Sequence, residues 1–137
     1  MKVYLVAGEP SGDKLGAELM AGLKSCAPYE LDFCGVGGFL MEEQGLTSLF
    51  PISEIAVMGI GEILAKYSFL KKRIKNTVDD ILRLKPDVLI TIDAPEFSLR
   101  VAKMVRKKLF INTVHYVAPT VWAWRPNRAK KISSYVD

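Results

Sequence analysis

Three loops of this 137-residue chain carry side chains that could bind a ligand or move a proton. The first, residues 8–13, reads Gly-Glu-Pro-Ser-Gly-Asp and separates an apolar run from a helical pattern. Its small residues would let a ligand approach the backbone at the start of a helix. Since the Glu9 carboxylate would repel a phosphate, the loop suits sugar hydroxyls; an ordinary strand-to-helix turn is the alternative. Its candidate binding residues are Gly8, Glu9, Ser11, Gly12 and Asp13.

The second loop holds Asp93, which directly follows the apolar run Asp-Val-Leu-Ile-Thr-Ile at residues 87–92. A carboxylate at the end of a buried strand is anchored by the sheet and can accept a proton from an alcohol, as a general base does. Pro95 stiffens the turn that follows. A turn-stabilising or helix-capping aspartate is the alternative, and spacing alone favours it.

The third loop, residues 115–125, combines a histidine, two tryptophans and an arginine. These side chains offer stacking faces, hydrogen-bond donors and a guanidinium suited to phosphate. The candidate binding residues here are His115, Trp124 and Arg125. A structural histidine, with the two tryptophans packed in the core or an interface, is the alternative.

Residues 57–75 combine apolar residues at helical spacing with a run of basic residues. Phe69 lies off the apolar stripe, which predicts a second exposed apolar side beside the cations and hence contact with an anionic membrane. A plain core stripe is the alternative that periodicity alone favours. The residues predicted to face the membrane are Ile60, Ile63, Leu64, Tyr67, Phe69, Leu70, Lys71, Lys72 and Arg73.

Alternating strand and helix patterns must position these loops. Strands are predicted at residues 2–7, 31–36, 87–92 and 110–117, with a weaker one near 47–50. Helices are predicted after residue 13, where Ser11 or Asp13 could cap the helix, and at 39–44, 53–84, 97–108 and from 127. This order predicts an α/β fold, a parallel sheet flanked by helices. In such sheets the carboxyl ends of the strands form the binding edge, where all three loops would lie.

Composition narrows the class of protein. Half of the residues are hydrophobic and 25% are charged, which is ordinary for a globular domain and excludes a disordered chain. Two cysteines and one histidine exclude a disulfide scaffold and a multi-histidine metal site. With neither a spanning apolar run nor a signal peptide, we expect a cytosolic α/β domain. Residues 1–65 carry a charge balance of −6 and residues 66–137 one of +10, which favours anionic partners.

Several short blocks of the sequence resemble the lipid-A-disaccharide synthases. The blocks are Val-Ala-Gly-Glu-Pro-Ser-Gly-Asp (6–13), Gly-Val-Gly-Gly (35–38), Ala-Val-Met-Gly-Ile (56–60), Ile-Asp-Ala-Pro-Glu-Phe (92–97), His-Tyr-Val (115–117) and Val-Trp-Ala-Trp-Arg (121–125). They follow the family's order over almost the whole chain. Departures are mild, since Pro10 stands where alanine is commoner, and Ala118 and Thr120 where serine is common.

The resemblance implies the N-terminal, acceptor-side domain, residues 1–137, of a two-domain glycosyltransferase with Rossmann-like halves (GT-B type). Such enzymes transfer 2,3-diacylglucosamine from its UDP-linked donor to the 6-hydroxyl of 2,3-diacylglucosamine 1-phosphate, with inversion and without a metal or other cofactor. Asp93 matches the family's essential aspartate, the proposed base. Residues 8–13 match its acceptor-side cleft, and 57–75 its membrane-facing helix.

By the same resemblance, a C-terminal domain with most of the UDP-binding residues is absent from this chain, and we expect the chain alone to be inactive. The expected location is the cytoplasmic face of the inner membrane. Two other functions stay open: a stand-alone nucleotide-binding module, and a peripheral membrane-binding module without catalysis. Nucleic acid is not an expected partner, because the tryptophans lie apart from most of the cations.

Overall fold

A computed structural model describes residues 1–56, 63–117, 130 and 132–137. Its core is a five-stranded sheet in which every strand pair is parallel. The sheet order is β3-β2-β1-β4-β5. The strands are β1 (Lys2–Ala7), β2 (Asp32–Val36), β3 (Thr47–Ser48), β4 (Val88–Ile92) and β5 (Asn112–Tyr116). The predicted α/β class and the parallel sheet are confirmed, although β3 is shorter than the sequence suggested.

Among residues 1–56 and 63–117, five helices connect and cover the strands. They are α1 (Pro10–Cys26), α2 (Phe39–Glu43), α3 (Ser53–Ala56), α4 (Ile63–Leu84) and α5 (Pro95–Arg106). The predicted cap of α1 by Ser11 or Asp13 is wrong, because α1 already begins at Pro10 and Glu9 occupies the cap position without a side-chain hydrogen bond. Proline suits a first helical position, where its missing N–H is not needed. The helix predicted from residue 127 lies mostly outside the described residues.

The helices form one layer on each face of the sheet. Val3 and Leu5 of β1 pack with Met20 of α1, whereas Tyr4 and Val6 pack with helices α4 and α5 on the opposite face. Both faces of β1 are therefore buried, which explains its continuous apolar run. No helix in the described part of the chain is long and apolar enough to span a membrane.

The order in which the strands are added to the sheet changes direction at β1. From β1 the chain moves through β2 to β3 on one side and then crosses to β4 on the other side of β1. β1 and β4 are thus neighbours, with Ala7 level with Ile92. The loops that leave these two strands diverge to opposite sides and open a crevice, the position where ligands bind in open parallel sheets.

Candidate functional site

The crevice brings together two of the predicted loops. The hydroxyl of Ser11, in the first turn of α1, donates a hydrogen bond to Oδ2 of Asp93 at 3.2 Å. Asp93 is half-buried and Ser11 is exposed, so the pair lies at the mouth of the crevice. The residues that sequence reasoning chose as base and as ligand-binding hydroxyl are therefore in direct contact.

The backbone that carries Asp93 is strained. Asp93 and Ala94 have φ angles of 47° and 42°, in the left-handed region. Aspartate tolerates this region moderately well, but alanine visits it rarely, and such residues cost of order 1–3 kcal/mol each. The carbonyl of Tyr116, at the end of β5, accepts a hydrogen bond from the Asp93 N–H at 3.2 Å. Strain of this kind concentrates at functional sites, because the surrounding structure must hold it.

Gly8 makes room for this turn. A Cβ added at Gly8 would lie 2.7 Å from the Cβ of Ala94, closer than two carbon atoms can approach. The absence of a side chain at Gly8 therefore lets the loops after β1 and β4 meet. At Gly12, an added Cβ would lie 3.4 Å from the carbonyl oxygen of Ile92, which is an ordinary van der Waals contact. Close packing of the two loops therefore requires the absence of a side chain at Gly8 but not at Gly12, in addition to the ligand approach predicted for both glycines.

A cleft of about 390 Å³ opens beside the pair. Its lining combines apolar residues with Glu9 and Glu96. Ser11 and Asp93 do not line the cleft themselves, but their neighbours in the chain, Pro10 and Ala94, do. Its lining residues are Gly8, Glu9, Pro10, Ile55, Leu70, Ala94, Pro95, Glu96 and Phe97. A cleft with two carboxylates and an apolar wall suits a neutral sugar hydroxyl beside an acyl group better than a bare phosphate.

His115 lies on the neighbouring strand, level with Thr91 of β4. Its Nδ1 is 2.8 Å from the Thr91 hydroxyl, and that hydroxyl also donates to the carbonyl of Val114 at 3.3 Å. Burial lowers the pKa of His115, and the nearby negative charge of Asp93 only partly opposes this effect. The imidazole is therefore neutral near pH 7. The 2.8 Å contact holds the ring through Nδ1, and which of the two atoms donates depends on the tautomer of the imidazole.

Nε2 of His115 is buried and has no hydrogen-bond partner among the described residues. An unsatisfied buried ring nitrogen of this kind is uncommon and can mark a site completed by a ligand. Sequence reasoning missed Thr91, whose hydroxyl contacts the ring of His115. Its signal was a single hydroxyl residue within the otherwise apolar strand Val-Leu-Ile-Thr-Ile.

Asp13 has a different role from the predicted one. Its carboxylate accepts three backbone N–H bonds at 2.9–3.1 Å, from Gly38, Leu40 and Met41. It is only 7% exposed. The carboxylate therefore caps α2 instead of α1 and has little capacity left for a substrate. This corrects the prediction of Asp13 as a ligand-binding residue.

The predicted membrane-facing residues divide into exposed and buried groups. Tyr67 and Phe69 are 47% and 37% exposed, and Lys71 and Lys72 are exposed as well. Leu70, by contrast, is 9% exposed and packs in the core, because it shares the inward face of α4 with Ile74. Leu70 is therefore a core residue and not a membrane contact.

Arg73 is also turned inward. It forms an ion pair with Glu54 of α3, and its guanidinium lies 4.7 Å from the ring centre of Phe50 and 5.1 Å from that of Phe69. These contacts join α4 to α3 and correct the prediction of a membrane-facing arginine. Ile60 lies outside the described residues, as do the side chains of Ile63 and Leu64 and the predicted ligand residues Trp124 and Arg125.

Comparisons with known proteins identify the family. A family model described as lipid-A-disaccharide synthetase matches residues 3–137. The lipid-A-disaccharide synthase of Ruegeria pomeroyi is 55% identical over 137 residues, which is 100% of this chain and 34% of that protein. That of Pseudomonas fluorescens is 48% identical over 137 residues, or 100% of this chain and 36% of that protein. The chain thus spans about a third of the length of these curated relatives.

The comparison of structures agrees on the fold. The chain resembles the crystal structure of a UDP-GlcNAc 2-epimerase from Neisseria meningitidis bound to UDP-GlcNAc, with a TM-score of 0.57 at 15% sequence identity. The match covers 98% of this chain and 38% of that chain. At this identity the likeness shows a shared Rossmann-like architecture and nothing about substrates. The family match over nearly the whole chain is decisive: the chain belongs to the lipid-A-disaccharide synthase family.

Proposed function

We propose that the chain is the acceptor-side domain of a glycosyltransferase of lipid A biosynthesis. The reaction transfers 2,3-diacylglucosamine from its UDP donor to 2,3-diacylglucosamine 1-phosphate, giving the β-1,6-linked disaccharide 1-phosphate and UDP. Family membership supports the reaction class. The observation that carries the assignment to this site is the contact of Ser11 with Asp93 in the crevice between β1 and β4.

The proposed mechanism uses Asp93 as the base. As the 6-hydroxyl of the acceptor attacks C1 of the donor sugar, Asp93 takes the hydroxyl proton. The new oxygen–C1 bond forms while the bond from C1 to the diphosphate breaks, and UDP leaves with the electron pair. Attack from the face opposite the diphosphate inverts the configuration at C1. Ser11 orients the carboxylate, and His115, on the strand beside β4, is the proposed partner of a second sugar hydroxyl.

Binding of the UDP part is assigned to a second domain. The carboxylates of Glu9 and Glu96 in the described cleft disfavour a diphosphate there. We therefore propose a two-domain enzyme in which the partner domain supplies the cations for the leaving group. A module that binds membranes without catalysis would not require the strained backbone at Asp93 and Ala94.

Replacing Ser11 by alanine tests the pairing in the full-length enzyme. We expect kcat/KM to fall roughly two- to tenfold, the value of one hydrogen bond of about 0.5–1.5 kcal/mol. Ser25→Ala is the matched control, since Ser25 lies on the same helix and bonds only to the carbonyl of Ala21. Equal kcat/KM values for the two variants would mean that the Ser11–Asp93 contact does not assist the reaction.

We also propose that the enzyme works on the cytoplasmic face of the inner membrane, because both substrates carry acyl chains. Tyr67, Phe69, Lys71 and Lys72 form the exposed part of the predicted contact surface. Burial of one large apolar side chain contributes about 1.5–3 kcal/mol. The double variant Tyr67→Ser/Phe69→Ser should therefore reduce binding to anionic vesicles by about tenfold or more, as measured by flotation.

The control for this experiment is Tyr29→Ser/Phe39→Ser, which removes a tyrosine and a phenylalanine elsewhere that are 56% and 69% exposed. The control should melt like the wild type, and Tyr67→Ser/Phe69→Ser should lose no more than about 1–2 kcal/mol of stability, the value of the ring contacts with Lys71 and Arg73. Leu70→Ser should instead lower the melting temperature, since Leu70 is in the core. Vesicle binding that is the same in both double variants would contradict the membrane assignment of Tyr67 and Phe69.

A further inference from the structure

A second concave surface lies between α4 and α5, and its lining shares no residue with the cleft of the candidate active site. It is a groove of about 500 Å³. Its floor is apolar and consists of Ile74, Val78 and Met104. Its walls carry six cations and one carboxylate: Lys71, Lys75, Arg100, Lys103, Lys107, Lys108 and Asp79.

The positive charge of this α4–α5 groove is only partly compensated. Asp79 pairs with Lys75 at 3.3 Å, and Arg100 pairs with Glu96 at 3.0 Å. Lys107 and Lys108 are exposed and have no ion-pair partner in the described part of the chain. Cations gathered around one groove repel each other, and a bound anion would relieve this repulsion.

Two further cations of the groove rest on aromatic rings instead of carboxylates. Nζ of Lys71 lies 4.7 Å from the ring centre of Tyr67, and Nζ of Lys103 lies 5.4 Å from that of Tyr135. Such contacts hold the side chains in place but leave their full charge available. The walls are thus cationic, and two of their lysines are placed against aromatic rings.

The groove is continuous with the proposed membrane surface. The ring of exposed Tyr67 lies near Lys71 and also 5.9 Å from the guanidinium of Arg100 on α5. One end of the groove is therefore formed by residues of the membrane-facing segment. Along α5 the groove extends from Arg100 to the helix end at Arg106, which is about 9 Å at about 1.5 Å per helical residue, and Lys107 and Lys108 follow directly.

We propose that the α4–α5 groove binds the phosphate headgroup of an anionic phospholipid. The wall lysines contact the phosphate, while the glycerol and first methylene groups lie on the floor beside Met104. This inference rests on the proposed membrane association and adds a specific lipid site to it. Because the groove continues into the proposed membrane surface at Tyr67, a lipid is favoured over an acidic protein helix. The experiment below tests the acidic helix as the alternative occupant.

A local probe of the groove is available in Met104. Met104 is 36% exposed on the floor, whereas Met20 and Met41 are fully buried on the opposite face of the sheet. In the full-length protein with labelled methionine methyl groups, dispersed short-chain phosphatidylglycerol should shift the Met104 signal and leave those of Met20 and Met41 in place. The Met104→Leu variant assigns the signal. Short-chain phosphatidylcholine, inorganic phosphate and an acidic amphipathic peptide are the comparison ligands.

Charge reversal supplies the second measurement. Lys103→Glu/Lys107→Glu should lower binding to vesicles with phosphatidylglycerol by about tenfold or more, since each basic residue near an anionic surface contributes about 1 kcal/mol. The control Lys14→Glu/Lys24→Glu makes the same charge change on α1, on the other face of the sheet. It should weaken binding less than threefold, as nonspecific attraction alone would do at about 0.15 M salt.

Each outcome decides the inference. A Met104 shift with phosphatidylglycerol only, lost in the Lys103/Lys107 variant, supports the lipid site. An equal shift with phosphatidylcholine or inorganic phosphate, a shift only with the acidic peptide, or equal loss of vesicle binding in both double variants overturns it. Turnover on detergent-dispersed substrates is measured in parallel. No turnover in the wild type would contradict the proposed transferase, whereas the Met104 signal reports on lipid binding in the groove whether or not turnover is found.

Discussion

Replacing Asp93 by asparagine in the full-length enzyme is expected to lower turnover by about 10²–10⁴-fold, the usual loss when a general base is removed. Asparagine has nearly the same shape and tolerates the φ of 47° found at this position. Its amide oxygen can still accept the hydrogen bond from Ser11. The variant therefore removes the base while preserving the strained turn, and the measurement is kcat together with the melting temperature.

Asp87→Asn is the matched control for this experiment. Asp87 directly precedes β4, whereas Asp93 directly follows it. The carboxylate of Asp87 accepts a hydrogen bond from the N–H of Lys2 at 2.7 Å. This variant should keep wild-type turnover. If Asp93→Asn also kept wild-type turnover with an unchanged melting temperature, Asp93 would not be the base.

Replacing Asp13 by alanine is expected to lower the free energy of unfolding by about 3 kcal/mol, because it leaves backbone donors without their charged acceptor. The N–H groups of Gly38 and Met41 lie in buried residues and cannot turn to water. Urea unfolding measures the loss. Asp79→Ala, which removes an exposed carboxylate paired only with Lys75, should change stability by less than about 0.5 kcal/mol.

The same variant also tests the two roles considered for Asp13. A ligand-binding aspartate would raise KM for the acceptor without affecting unfolding. If Asp13 instead caps α2, the variant should have a lower free energy of unfolding and an unchanged KM for the acceptor. Turnover is then measured under conditions where the variant is still folded. An unchanged unfolding free energy with a raised KM would restore the role that the sequence suggested.

The sequence predicted the α/β class and the strands and helices of the described residues, although β3 is shorter than expected. β1 is buried on both faces and its sequence is a continuous apolar run, whereas α4 is buried on one face and its apolar residues recur at helical spacing. In both elements the local sequence pattern agrees with the structure. The contact between Ser11 and Asp93 could not be read locally, because the two residues are 82 positions apart. It depends on β4 lying beside β1, which the order of elements alone does not fix.

Other features of the site depend on single long-range contacts. The role of Asp13 depends on the N-terminus of α2, 25 or more residues away in the chain. The strained turn at Ala94 depends on the missing side chain of Gly8. Leu70 and Phe69 are adjacent in sequence, yet one is buried and the other exposed. The apolar stripe includes Leu70 and leaves out Phe69, so periodicity alone predicts this division, and the assignment of Leu70 to the membrane surface departed from it.

The most direct test of the proposed function is to follow both products of the full-length enzyme in one assay. Mass spectrometry measures UDP and disaccharide formed from the UDP-linked donor and the 1-phosphate acceptor, and NMR determines the new linkage. The proposal predicts one disaccharide per UDP released, β-1,6-linked, with Asp93→Asn forming neither product at more than about 1% of the wild-type rate. Release of UDP without a disaccharide, or an isomerised UDP-sugar as the only product, would contradict it.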